Sequence, residues 1–184
     1  MGTGPPARGA EPSLGTVVLM ARVELLTAET APLLAQPFYQ RGDPGAITAA
    51  LAHVPELMEV ALPFFDSVFG ATAVEARLKE IVVLRVSSAN RCHYCVETHS
   101  GVAQRIGFRP AEVSALRGEA PAPIGWSDAE LAVYAFASAI SETPESAVEK
   151  LRPHFADAAV VELVAVAAAT VMLNRFATAL ELPA

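Results

Sequence analysis

Four side chains near the middle of the chain have the types and spacing of a thiol reaction centre: Glu80, Cys92, Cys95 and His99. The two cysteines are the only ones among the 184 residues. A loop closed between positions three apart hardly restrains an unfolded chain, so the pair is no disulfide framework and calls for a chemical explanation. Asn90 has the side chain of a helix N-cap, which sets the start of the following helix at Arg91 or Cys92. Cys92, Cys95 and His99, separated by three and four residues, then share one helical face. His99 lies one turn from Cys95 and can exchange a proton with it. Cys92 lies in the first turn, where free amides and the helix dipole favour thiolate over thiol. The dipole thus singles out Cys92 and the imidazole singles out Cys95. Glu80 precedes the apolar run Ile81-Val82-Val83-Leu84, which predicts a partly buried carboxylate. Burial raises such a pKa and makes the group a proton carrier near neutrality. A turn around Ala89-Asn90 that folds the two helices together would bring Glu80 to the dithiol.

The elements that must position these groups are helical. Alanine and leucine dominate, and alternating β-branched runs are missing. Eight helices are predicted, near 45–53, 55–69, 72–89, 92–106, 110–117, 127–141, 144–152 and 157–180. Ser127-Asp128-Ala129-Glu130 is a capping-box pattern. Gly107 and Gly118 stand where left-handed C-caps are needed. Pro55, Pro110 and Pro144 fit first-turn positions, whereas Pro63 should kink or divide its helix. Gly118 to Gly125, with Pro121 and Pro123, reads as a long loop. The division expected is a mobile tail over 1–19 and a single helical domain over 20–184.

Composition agrees with an all-α domain that has a sizeable core: 53% of residues are hydrophobic and 18% charged. A net charge of −7 argues against a surface for nucleic acid or an anionic membrane. The most apolar stretch, Leu163–Leu173, is bounded by Glu162 and Asn174-Arg175. Its eleven residues fall short of the roughly 20 that a span needs. Residues 1–15 hold four Gly and three Pro, unlike a signal peptide, so the expected compartment is the cytoplasm. A stripe apolar on nearly all sides fits a protomer that hides helical faces against copies of itself.

The arrangement Glu80-x11-Cys92-x2-Cys95-x3-His99 resembles the signature of alkylhydroperoxidase D-like proteins in the carboxymuconolactone decarboxylase superfamily. Asn90 and Tyr94 resemble a branch of peroxidase-related members, and the likeness extends from about His53 to Phe176. The resemblance implies an all-α helical bundle that assembles into homo-oligomers, trimers or hexamers. It implies an alkylhydroperoxidase-like peroxiredoxin activity on alkyl hydroperoxides or hydrogen peroxide, with no metal, haem or other cofactor. Cys95 would be the peroxidatic thiol, Cys92 its disulfide partner, and Glu80 with His99 the proton relay. An external dithiol, a lipoyl group or a thioredoxin-like protein, would reopen the disulfide. One departure is Tyr94, where the best-studied pattern has His; His93 stands one position earlier, about 100° around the helix.

Other readings of the same residues stand beside this one. The cysteines could be small hydrophobes, or with His99 and Glu80 could bind zinc, although no second Cys pair exists. The superfamily's other activity, on a lactone acid, needs no cysteine pair. A non-catalytic helical oligomer could use the dithiol as a redox switch. His93 reads as a solvated or lid residue, and His53 and His154 as helix ends. Tyr94 reads as packing, Ser87 and Ser88 as helix-terminus partners. Trp126 and Phe64-Phe65-Phe69 read as core or interface, and Asn174 with Arg175 as a subunit anchor. Met20 is an alternative natural start. Mass spectrometry of native protein should then lack peptides from 1–19, and abundant ones would defeat that idea.

Overall fold

The computed structural model describes residues 21–70 and 72–184; the tail expected over 1–19 lies outside them. The described residues form a short 3-10 helix, Leu33–Tyr39, and eight α-helices, with no strand among them. The α-helices are α1 (Ala46–Leu51), α2 (Pro55–Phe69), α3 (Ala76–Ala89), α4 (His93–Arg105), α5 (Pro110–Leu116), α6 (Asp128–Ala139), α7 (Pro144–Val148) and α8 (Asp157–Ala179). The all-α expectation holds, and all eight predicted helices are present.

Helix α3 is the axis of the bundle. Its run Ile81-Val82-Val83-Leu84 is buried on every side, as an all-round apolar turn requires. It packs against α4, α5, α6 and α8. Val82, Leu84, Leu116, Phe136, Leu163 and Val166 belong to the main core around it. The 3-10 helix was not anticipated, because its prolines Pro32 and Pro37 break the helical pattern. It adds Ala35 and Tyr39 to a second core with Leu51, Ala52 and Met58. Tyr39 anchors it by donating to the Leu26 carbonyl at 2.9 Å.

Several ends follow the sequence. Gly107 and Gly118 adopt φ of +96° and +76° beyond α4 and α5. The Ser127–Glu130 box is closed, the Glu130 amide donating to Ser127 Oγ at 3.2 Å and the Ser127 amide to Glu130 Oε2 at 2.8 Å. Pro55, Pro110 and Pro144 each open a helix.

Two expectations need correction. Pro63 does not divide α2, which runs unbroken from Pro55 to Phe69. The carbonyl that loses its partner belongs to exposed Glu59, where water can replace the missing amide. Helix α3 begins at Ala76 instead of 72, because the preceding residues wrap buried Lys79. The Lys79 ammonium donates to the Val68 and Gly70 carbonyls at 2.9 and 2.6 Å and to Thr72 Oγ1 at 3.1 Å. It also meets Glu162 Oε1 at 2.6 Å. A cation at the C-terminus of α2 satisfies the last carbonyls and the dipole together.

Helix α8 is longer than its apolar centre indicated. Its 23 residues include a window with mean hydropathy 1.7, enough by length and composition to cross a membrane. Here Leu163, Val166, Ala167 and Asn174 are packed in the interior, while Val161 and Met172 face outward.

A second buried ionic group ties α3, α5 and α6. Glu112 is 3% exposed and accepts from Arg77 Nη2 at 2.7 Å, Trp126 Nε1 at 2.6 Å and the Arg109 amide at 2.6 Å. Burial alone would raise its pKa, but hydrogen bonds from Arg109, Trp126 and Arg77 outweigh it and hold the carboxyl down to about 2. A folded pKa below the ordinary 4.5 gives stability that is complete above pH 4.5 and lost as pH falls toward 2. Glu112→Gln should lower stability at pH 7 by about 2–4 kcal/mol, since it leaves buried donors without their carboxylate. Urea midpoints measured between pH 5 and 2 should fall less steeply in the variant than in the parent, and parallel curves would contradict this account.

Candidate active site

The dithiol sits at the reversal between α3 and α4. Asn90 is the C-cap of α3 and not the N-cap of α4, and Arg91 takes φ of +56°. That left-handed residue costs about 1–2 kcal/mol and turns the chain so that Cys92 becomes the N-cap. The Cys92 amide donates to the Ser87 carbonyl at 3.0 Å. Helix α4 therefore starts at His93, later than expected.

Both sulfurs are free thiols and buried, at 1% exposure for Cys92 and 5% for Cys95. No side chain closes a formal cap at Cys92, but Cys95 faces it with both thiol and amide. The Cys95 side chain above all holds the Cys92 thiol down to about 6; the Cys95 amide, Thr178 and Asn174 add to this, and burial opposes it. Cys95 is displaced upward, first by the hydrogen bond it gives Cys92, then by burial and the neighbouring negative charge. The pair shares one readily lost proton, and the negative charge rests on the N-cap sulfur.

His99 and Glu80, the pair that the family resemblance implied as a proton relay, meet. His99 Nδ1 donates to Glu80 Oε1 at 2.9 Å, with the Glu80 side chain 8% exposed and that of His99 30%. A neutral imidazole bonded in this way keeps Nε2 as its acceptor. Glu80 thus addresses the site through the imidazole. His99 shares with Cys95 a cavity of about 180 Å³ whose other walls include Ile47, Phe65, Phe69 and Val83. Cys92 instead borders a cleft of about 390 Å³ with Arg91, His93, Thr178 and Leu182. Tyr94 lines both. The helical face expected to carry Cys92, Cys95 and His99 together is therefore divided, because Cys92 lies off the helix.

Two polar neighbours of the sulfurs have other roles in the sequence reading. Asn174, expected at a subunit contact, is 1% exposed inside the protomer. Its Nδ2 donates to Ser87 Oγ at 3.0 Å, and its Oδ1 accepts from Asn90 Nδ2 at 2.9 Å. Ser87 serves the turn through its carbonyl and the site through its hydroxyl, which lowers the pKa of Cys95. The available signal was a lone Asn directly after the apolar run Leu163–Leu173. Among the described residues no three His, Cys, Asp or Glu side chains converge closely enough to hold a metal ion.

Residues 55–139 match the model of the carboxymuconolactone decarboxylase family. The fold matches that of an uncharacterised peroxidase-related protein with an alkylhydroperoxidase AhpD core from Ralstonia eutropha. The TM-score is 0.74 at 20% identity, over 89% of this chain and 91% of that one. Residues 55–139, which hold Glu80, Cys92, Cys95 and His99, are thus the part of the chain that matches the carboxymuconolactone decarboxylase family. A protein of unknown function from Agrobacterium tumefaciens, described as an AhpD antioxidant defence candidate, is 25% identical. It aligns with 73% of this chain and 96% of its own length at a TM-score of 0.65. The debrominase Bmp8 shares the fold of this chain at a TM-score of 0.71 and 23% identity, over 91% and 92% of the two chains. Among proteins of curated function, none matches this chain in sequence.

An acidic N-cap thiol makes a direct prediction. Iodoacetamide should modify Cys92 before Cys95, with a midpoint near pH 6 and thiolate present above it. Mass spectrometry of the alkylated peptides across pH 4–10 reads both site and midpoint, and first modification at Cys95 would contradict the assignment.

Proposed function

We propose that this chain is a thiol-dependent peroxidase that reduces alkyl hydroperoxides or hydrogen peroxide through a sulfenate and disulfide cycle. The observation that carries the reading is the small apolar cavity shared by Cys95 and His99, with a second, acidic thiol in contact behind Cys95. The family match over residues 55–139 and the likeness in fold to peroxidase-related proteins support a role of this kind.

The cycle follows from the placement of the groups. A hydroperoxide enters the Cys95 cavity, and His99, oriented by Glu80, takes the Cys95 proton as the sulfur attacks the distal oxygen. The O–O bond breaks, Cys95 becomes sulfenic acid, and the alkoxide leaves as alcohol on receiving that proton. The Cys92 thiolate then displaces hydroxide from the sulfenic sulfur, water departs after protonation, and the disulfide closes. The low pKa of Cys92 suits this second role, since the resolving sulfur is already ionised when sulfenate forms. An external dithiol, a lipoyl group or a thioredoxin-like protein, restores both thiols. No resident cofactor or metal enters the scheme.

Chemistry on a lactone acid makes no use of paired thiols, and the cavity offers no Lys or Arg to hold a carboxylate. The proposal extends to a homo-oligomer, a trimer or hexamer, working in the reducing cytoplasm where such dithiols are supplied. Leu57, Val60 and Phe64 on α2 are about half exposed or more and lie on one helical face, suited to contact between copies.

Cys95→Ser should abolish peroxide consumption in a dithiol-coupled assay. Glu80→Gln and His99→Gln should each slow it about 10²-fold through loss of the proton relay. Mass spectrometry after a peroxide pulse should show sulfenate at Cys95 resolving to a Cys92–Cys95 disulfide. Thiols that stay reduced under excess peroxide would defeat the reading.

A further inference from the structure

We infer that Asn174 is the positioning residue of the dithiol: its side-chain amide, locked between Asn90 and Ser87, fixes both sulfurs from the opposite helix. The inference rests on the reading of the pair as a reactive dithiol and extends it to a residue on α8. Asn174 is 1% exposed in a helix whose other buried residues are apolar apart from Thr170. A primary amide in such a place destabilises the fold unless all its hydrogen-bonding groups are used.

The partners use them in a directed way. Asn90, the C-cap of α3, donates from Nδ2 to Asn174 Oδ1 at 2.9 Å, and its own Oδ1 accepts from Ser141 Oγ at 3.4 Å. With its oxygen thus assigned, Asn174 must turn Nδ2 toward α3 and α4. One Nδ2 hydrogen goes to Ser87 Oγ at 3.0 Å. The amide also reaches both sulfurs and favours the ionised form of each, with Ser87 assisting at Cys95 and Thr178 at Cys92. A residue needed for packing alone could be replaced by leucine, which has the same heavy-atom branching, a somewhat larger volume and no donors to align. Asn174 also lines the Cys95 cavity, so the same amide borders the space where the sulfur reacts.

The test is the pH dependence of alkylation, which reads thiolate whether or not peroxide is reduced. Asn174→Asp keeps the shape and exchanges the donor for a carboxylate; Asn174→Leu keeps the heavy-atom branching alone. Each should raise the iodoacetamide midpoint of the first-reacting cysteine by about one pH unit or more, a tenfold loss of thiolate at fixed pH. The aspartate, which adds a like charge, should raise it further. Asn90→Ala, which frees the amide to turn without touching the sulfurs, should move the midpoint the same way by a smaller amount. The charged groups near the pair stay in place in all three variants: Arg91, His93 and Glu181 beside Cys92, and His99 with Glu80 on the Cys95 side. Thermal melting identifies the folded variants, and Asn90→Ala decides the matter if both changes at 174 prevent folding. Folded variants with lowered melting temperatures and an unchanged midpoint would overturn the inference and leave Asn174 a structural residue. A parent midpoint near 9 would instead defeat the acidic-pair reading, while the difference between parent and variants would still decide Asn174.

Discussion

The centre of this molecule depends on reversing the chain between α3 and α4 within three residues. Asn90 closes one helix, Arg91 turns left-handed and Cys92 opens the next. That reversal lays α4 along α3, so that Glu80 and His99, nineteen positions apart, meet at 2.9 Å. It also lifts Cys92 off the helix and onto its positive end, while Cys95 stays within the first turn. A longer connection would separate the carboxylate from the imidazole and remove the amides from the N-cap sulfur. The strain held in one non-glycine residue is small beside the burial of α3 that depends on it.

Around this reversal the bundle is held by a few polar groups as well as by apolar area. Lys79 closes the end of α2, Arg77 joins α3 to α5 through Glu112 and to α6 through Glu130, and Asn174 joins α8 to the reversal. Lys79, Glu112 and Asn174 are each buried and hydrogen-bonded, so each penalises alternative packings in which its partners would be lost. Apolar helices such as α3 and α8 could slide against one another with little change in buried area. The polar points fix the register that contact between aliphatic side chains leaves open.

The sequence was most legible where a local rule acts alone. The eight helices, the Ser127–Glu130 box and the left-handed glycines follow from spacing and cap chemistry, and the structure shows all of them. The Glu80–His99 pairing was implied by the family resemblance and not by spacing, which related only Cys92, Cys95 and His99. The misreadings share one cause: a side chain's role was decided by a residue far along the chain. Asn90 has N-cap chemistry, yet its amide is engaged by Asn174 across the bundle. Pro63 breaks isolated helices, but here the freed carbonyl faces water. The start of α3 moved because Lys79 recruits the residues before it. Cys92 and Cys95 both stand out in the sequence, but the contact that lowers the pKa of Cys92 and raises that of Cys95 is tertiary.

The two sulfurs touch each other and yet border different spaces, Cys95 a small apolar cavity and Cys92 a wider cleft lined by Thr178 and Leu182. For the proposed cycle this separation has a kinetic meaning. In a double-displacement enzyme with a single entrance, a surplus of either substrate occupies the form meant for the other and slows turnover. Here the oxidant and the reductant would arrive at opposite faces of one covalent bond. The dithiol then acts as a partition across which electrons pass while the two reactants never compete for room.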